Sequence, residues 1–193
     1  MKVAIKPRPI IMPCPVLVVG TYNEDGTPNI MTAAWGGVAC SRPPCVTISL
    51  REATHSFGNI KRSGAFTVNI PSEKHVKQAD YAGIVSGRDH NKFLDTALTH
   101  KKSEFVNAPI VMEFPYALEC KLIKQIELGL HTMFIGEIMG IVADEGVIGN
   151  QNLPDIEKVR PILFGSSGSK FYYKVGNKLG DAYSIGKLTS LDE

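Results

Sequence analysis

The sequence predicts a mainly β protein, a β-barrel with added helices, folded as one domain over residues 1–193. Six or more short stretches are rich in β-branched and aromatic residues, turn signals separate them, and only two segments carry a convincing helical period. Strands joined by hairpin-type turns, with few helices to serve as crossovers, favour an antiparallel barrel. The length suffices for one well-buried core.

Residues 16–22 (VLVVGTY) are apolar and β-branched, and Asn23-Glu24-Asp25-Gly26 closes them. Asp-Gly is a strong hairpin signal, so a second strand follows over 28–35, ending at the single tryptophan, Trp35. Gly36-Gly37 then reads as a bend or a close approach of backbone to a ligand. Pro43-Pro44 sets extended backbone before a third strand, 45–51. Residues 54–62 read as a short helix with a hydroxyl cap, and 65–70 as a fourth strand stopped by Pro71. Residues 72–81 read as a helix capped by Ser72, because Glu73, Val76, Ala79 and Asp80 fit a 3.6 period. Further on, 116–122 alternates like a half-buried strand, and the nearly all-apolar 132–143 reads as its more buried neighbour across a turn at 127–131. Residues 161–164 and 170–174 are short strand candidates with 165–168 (GSSG) as a flexible link.

Composition excludes several classes. Hydrophobic residues are 44%, charged residues 21% and the net charge +2, as in ordinary globular chains. Lys61-Arg62 and Lys101-Lys102 are too short to follow a phosphate backbone, so no nucleic acid is expected. No apolar leader and no 18-residue uncharged apolar run occurs, which predicts a cytoplasmic protein with no membrane partner. Cys14, Cys40, Cys45 and Cys120 form no Cys-x-x-Cys pair, so neither disulfides nor a metal site is expected. Each reads as a small buried hydrophobe, with Cys14 and Cys45, beside prolines, the more open to solvent. Residues 180–188 miss a P-loop by one extra residue and a Leu after the Lys, and the Rossmann, zinc-peptidase and α/β-hydrolase motifs are absent.

The segments 15–21 (PVLVVGT), 29–35 (NIMTAAW), Pro43-Pro44, Ser49-Leu50-Arg51 and Thr54-His55-Ser56 resemble the flavin reductase-like family, and within it the flavoredoxin branch. So do 129–138 (GLHTMFIGEI), Phe164-Gly165 and the tail 172–187, all in the same order. The resemblance implies an antiparallel FMN-binding split barrel that works as a homodimer with the flavin near the subunit interface. It further implies transfer of electrons or hydride from NAD(P)H or a redox protein through FMN to an acceptor. Competing readings are a non-enzymatic split-barrel electron carrier and a binding module for haem or pyridoxal phosphate.

An FMN site needs a cradle for a dianionic phosphate, donors for the pyrimidine edge and a flat apolar wall. Ser49, Arg51, Thr54, His55 and Ser56, with Leu50 among them, lie where a strand passes into a helix, so hydroxyls, a guanidinium and free N–H groups converge there on a phosphate. Asn29, Ile30, Met31, Thr32, Ala34 and Trp35 supply backbone amides, the Asn29 side chain and an aromatic wall. Asn29 otherwise reads as a turn residue after Pro28, and Trp35 as a core anchor. The resemblance places Lys92, on a loop in this reading, at the flavin, and sets His131 and Phe164 beside it. The bland readings are a satisfied strand-end histidine and a core phenylalanine. His55 also reads as structural, and His75, His90 and His100 as surface residues. No catalytic residue is named beyond His131, because hydride transfer to a flavin requires no protein nucleophile or base.

Overall fold

The computed structural model describes residues 1–187. Its strands are β1 (Cys14–Pro15), β2 (Leu17–Tyr22), β3 (Pro28–Ala33), β4 (Gly36–Ser41), β5 (Pro44–Arg51), β6 (Ala65–Ile70), β7 (His100–Lys102), β8 (Pro109–Val111), β9 (Tyr116–Glu127), β10 (His131–Ala143), β11 (Ile162–Phe164) and β12 (Tyr172–Lys174). The helices are α1 (His55–Ser63), α2 (Val76–Ile84), α3 (Lys92–Thr96), α4 (Ile156–Val159) and α5 (Ser166–Ser169).

Seven strands form one antiparallel sheet in the order β3-β2-β6-β9-β10-β5-β4. Its two edge strands, β3 and β4, are separated in the chain only by Ala34 and Trp35. Two residues span under about 11 Å even when extended, so the sheet must curl until its edges meet. The β4–β5 ladder runs on past β4 into this connection, where the Trp35 carbonyl accepts the Ser49 N–H at 2.8 Å. Small sheets, β1-β11-β12 and β7-β8, lie outside this barrel.

Alternation on β2 builds two cores. Leu17 and Val19 face the barrel interior with Val46, Ile48, Leu50, Phe66, Val68 and Phe134, while α1 adds Phe57 and Ile60 to the same cluster. Val16 and Val18 face outward into a second cluster with Ile30, Phe93, Val111 and Phe114, closed by Ala79 and Ala82 of α2. Burial of β2 on both faces explains why its sequence is continuously apolar rather than alternating. Asn69, buried in this layer, is paired: it donates to the Val18 carbonyl at 3.0 Å and accepts from the Val111 N–H at 2.8 Å.

Several expectations from the sequence need correction. Gly36-Gly37 is no bend but the start of β4, which pairs with β5 across an Arg42-Pro43 turn. Thr54 precedes α1 without capping it, since its hydroxyl donates instead to the Arg51 carbonyl at 2.8 Å. Ser72 heads a single 3₁₀ turn, also without a side-chain cap, and α2 begins only at Val76. β10 is not uniformly more buried than β9: its first half alternates, and Met139, Ile141 and Val142 are exposed. Residues 165–168 are not a simple link, because α5 starts at Ser166. Cys14 and Cys45 are buried despite their prolines, and the exposed thiol is Cys40. His75 is half-buried against the Phe114 ring, centroids 5.2 Å apart.

Candidate functional site

β5 ends at Arg51 and a tight turn, Thr54 N–H to Arg51 carbonyl at 3.0 Å, delivers the chain into α1. With the Thr54 hydroxyl engaged elsewhere, no side chain caps the first turn; the Phe57 N–H bonds back to the Thr54 carbonyl at 3.2 Å, which leaves the His55 and Ser56 N–H groups without intrahelical acceptors. These donors and the positive end of the helix dipole open onto a cavity of ≈ 260 Å³ lined by Asn29, Met31, Thr54, His55, Ser56 and Lys92. Gly83 to Arg88, the end of α2 and the segment after it, complete its lining.

The cavity is cationic. Lys92 is not a solvated loop lysine: it opens α3, is 3% exposed, and its Nζ donates to the Ala82 carbonyl at 2.7 Å. Burial lowers its pKa to about 8. Arg88 is held by an Nη1 bond to the Ala53 carbonyl at 3.0 Å. His55 is driven below its ordinary pKa by burial first, then by the charges of Arg88, Arg62 and Lys92. It is therefore neutral near pH 7. Its Nε2 lies 2.8 Å from Asn23 Oδ1, an acceptor that also receives Asn59 Nδ2, so Nε2 carries the proton and Nδ1 the lone pair.

Asn29, 3% exposed, is wired into this wall rather than standing in a turn. Its Nδ2 contacts Ser56 Oγ at 2.9 Å and Thr21 Oγ1 at 3.3 Å, while its Oδ1 is buried without a partner. Gly87 approaches it so closely that a Cβ there would stand 2.0 Å from Oδ1. A buried polar atom without a partner costs about 1–3 kcal/mol, which a ligand bonding to it would recover.

Two further cavities continue from this one. The pocket of ≈ 200 Å³ shares Gly83 and Ile84 with the cationic cavity and adds Thr32, Ala34, Phe164 and Tyr172. It shares Ala34 in turn with a cavity of ≈ 560 Å³ lined by Trp35, Thr47, Ser49 and the N-terminal segment from Arg8 to Pro15. Trp35 is 37% exposed, so it is no core anchor; its ring centroid lies 4.6 Å from that of His131, planes tilted by 42°. Phe164 stacks obliquely on Tyr172, centroids 5.7 Å apart.

The residues singled out from sequence thus divide. Asn29, Met31, Thr54, His55, Ser56 and Lys92 share the cationic cavity. Thr32, Ala34, Trp35, Ser49 and Phe164 line the adjoining trough, so Ser49 does not converge with Thr54–Ser56 as expected. Arg51 is exposed and opposite His131 in the β5–β10 register, outside the cationic cavity's lining. Ile30 and Leu50, at 0% and 2% exposure, turn their side chains into the outer and inner cores, so any contact they make with a ligand is through the backbone. Sequence reasoning overlooked Ala53, Ala82, Gly87 and Arg88. Gly83, Gly87 and the basic Arg88 so close to Lys92 were the available signal.

A barrel whose uncapped helix start, buried lysine and arginine open onto an aromatic trough is suited to an elongated ligand, anionic at one end and flat and apolar at the other. Comparison with known proteins agrees: residues 10–167 match the flavin reductase like domain, and the chain belongs to that family. It is 49% identical to a flavoredoxin of Desulfovibrio vulgaris (Miyazaki F), with a TM-score of 0.91, covering 97% of this chain and 100% of that one. A flavoredoxin from Methanosarcina acetivorans is similar at 30% identity and a TM-score of 0.90, covering 97% of this chain and 98% of that chain. The reductase component of a 4-nitrophenol 4-monooxygenase/4-nitrocatechol 2-monooxygenase from Rhodococcus opacus is 27% identical over 67% of this chain and 66% of its own length. The chain is a split-barrel flavoprotein of the flavoredoxin and flavin reductase type. Among the described residues no helix is long and apolar enough to cross a membrane, and no group of three or more His, Cys, Asp or Glu is arranged to hold a metal.

Proposed function

We propose that the flavin is FMN, with its phosphate in the cationic cavity at the start of α1 and its ring along the trough bounded by Met31, Thr32, Ala34 and Trp35. The protein then acts as an FMN oxidoreductase, taking electrons from NAD(P)H or a reduced protein and passing them to an acceptor. One observation carries the phosphate assignment: free N–H groups, the Ser56 hydroxyl, Arg88 and the buried Lys92 face one small cavity. FMN supplies the two-electron chemistry when bound.

The chain's residues bind and orient. Lys92, Arg88 and the first turn of α1 neutralise the phosphate. Asn29 contributes through its free amide end. Asn59 Oδ1 accepts from Arg62, so Asn59 Nδ2 donates to Thr21 Oγ1 at 3.1 Å and leaves Thr21 a proton to give. Turning the Asn29 amide by 180° lets Thr21 and Ser56 both donate to Oδ1 and presents the NH₂ to a ligand oxygen, an arrangement of the same shape. Trp35 and His131 wall the ring, and His131 can donate to it or orient a reductant. Phe164 shields the trough's other side.

A homodimer in the cytoplasm completes the reading. The exposed Ile123, Leu128, Leu130, Met139 and Ile141, spread along the β9–β10 pair from its tip to its base, are apolar side chains that a second copy would cover. Titration of apo protein with FMN and with riboflavin tests the phosphate assignment: FMN should quench at least tenfold more tightly, and equal affinity would refute it. Rapid bleaching on mixing with NADH or NADPH identifies an enzyme, whereas bleaching only by a reduced protein identifies an electron carrier. An absorption spectrum of haem or pyridoxal phosphate in purified protein would replace the FMN reading altogether.

A further inference from the structure

The β4–β5 hairpin carries a second chemically capable pair. Cys40 and Cys45 are direct partners in its antiparallel register, next to the Ser41–Pro44 pair at the turn. Directly opposed residues share a face of the sheet, with Cα atoms about 4.5 or 5.5 Å apart. Both spacings fall inside the roughly 4.4–6.8 Å range that a disulfide bridges. Glu137 opposes Cys45 on its other side, from β10. Burial first, then Cys40 and Glu137, push the Cys45 thiol up, as expected for neighbours in one row.

The two thiols differ in access. Cys40 is exposed, and Cys45, at 3%, is covered. The Cys40 Sγ donates to the Arg42 carbonyl at 3.4 Å, a weak thiol hydrogen bond that a χ1 rotation gives up. The remaining cysteines are placed differently. Cys14 is buried with its Sγ on the Ile11 carbonyl at 3.0 Å, and Cys120 is sealed inside the barrel with its thiol pushed up to about 12. An accessible thiol beside a covered resolving thiol is the arrangement found in peroxide-sensing cysteine pairs.

We propose that Cys40 and Cys45 form a reversible dithiol–disulfide couple, in which Cys40 reacts with a hydroperoxide and Cys45 resolves the product. The Cys40 thiolate attacks the hydroperoxide oxygen; the O–O bond breaks, giving a Cys40 sulfenic acid and an alcohol, or water from hydrogen peroxide. The Cys45 sulfur then attacks the sulfenic sulfur. An S–S bond forms, the S–O bond breaks, and hydroxide leaves with the Cys45 proton as water. Two thiols lose two electrons and one peroxide gains them. An external dithiol restores the pair by exchange, through a mixed disulfide. The crosslink would tie down the hairpin whose opening residues, Gly36 and Gly37, line the larger cavity.

The flavin-loaded protein, fully reduced and then freed of reductant, is exposed to hydrogen peroxide, and thiols are counted in denaturant beside an intact mass. The expected result is a fall from four thiols to two, a mass lower by two hydrogen atoms, and full recovery with dithiothreitol. Cys45→Ser should stop at a Cys40 sulfenic acid that dimedone traps, and Cys40→Ser should keep all its thiols. Retention of four thiols in the wild type under conditions that let dimedone label Cys45→Ser would overturn the couple. So would a product that gains oxygen at Cys40 without losing hydrogen, or one linked between chains.

Discussion

Replacing Lys92 with Met tests the anion pocket most directly, because the cost of holding this charge is legible in the fold. Burial lowers its pKa from 10.5 to about 8, which corresponds to about 3 kcal/mol against the charged form. Between those two values the unfolded chain holds more protons than the folded one, so this group's contribution to stability rises with pH through that window, and below pH 8 the full penalty is present. Met removes the penalty but leaves the Ala82 carbonyl without its donor, a loss of about 1–3 kcal/mol. Apo stability near pH 7 should therefore change by less than about 2 kcal/mol. FMN affinity should behave otherwise, because a bound phosphate favours the charged lysine and restores its pKa upward. Above about pH 8 binding then takes up a proton, and affinity falls by up to tenfold per pH unit in the wild type. The variant should bind at least tenfold more weakly near pH 7, the effect of one charged hydrogen bond of about 1.5–3 kcal/mol, and lose that pH slope. Flavin fluorescence quenching from about pH 7 to about pH 9.5, where the phosphate stays dianionic, reads both effects, and urea unfolding reads the stability. Wild-type affinity that is flat across this range, or a variant that binds FMN as the wild type does, would refute the reasoning.

Two other substitutions separate site from scaffold. Gly87→Ala sets a Cβ 2.0 Å from Asn29 Oδ1 and 3.1 Å from the His55 ring, so FMN affinity should drop several-fold in the quenching titration; undiminished binding would show that Asn29 is not part of the site. Gly136→Ala sets a Cβ 2.5 Å from the Phe66 ring inside the barrel and should lower stability by about 1–3 kcal/mol in urea while leaving FMN affinity unchanged.

Elements whose pattern arises from local chemistry were the readable ones. The apolar run of β2 and the Asp25-Gly26 turn follow from β-branched composition and turn residues, and the helix start at Thr54-His55 was placed correctly although Thr54 does not cap it. β4 was missed because Gly36-Gly37 imitates a turn and the strand is exposed along most of its length. Short β7 and β8 have no periodicity of their own; Pro109 and Val111 become strand because Thr67 and Asn69 need partners for buried polar atoms. Within the site, Asn29, Ser56 and Lys92 were named from motif resemblance, yet nothing local distinguishes a cofactor lysine from a solvated one.

The order of apolar runs, turns and the strand-to-helix passage at residues 49–56 determined a β-barrel of the flavin reductase-like kind, because those signals depend on neighbours along the chain. Only the tertiary structure decided which polar groups share a cavity. Lys92 and Ser56 are 36 residues apart in the chain, and Asn29, Ser56, Arg88 and Lys92 meet because the curled sheet brings β3 beside the start of α1 and the segment after α2 closes over both. Removal of that pocket from bulk water, a consequence of packing between distant elements, is what turns an ordinary lysine into one with a displaced pKa.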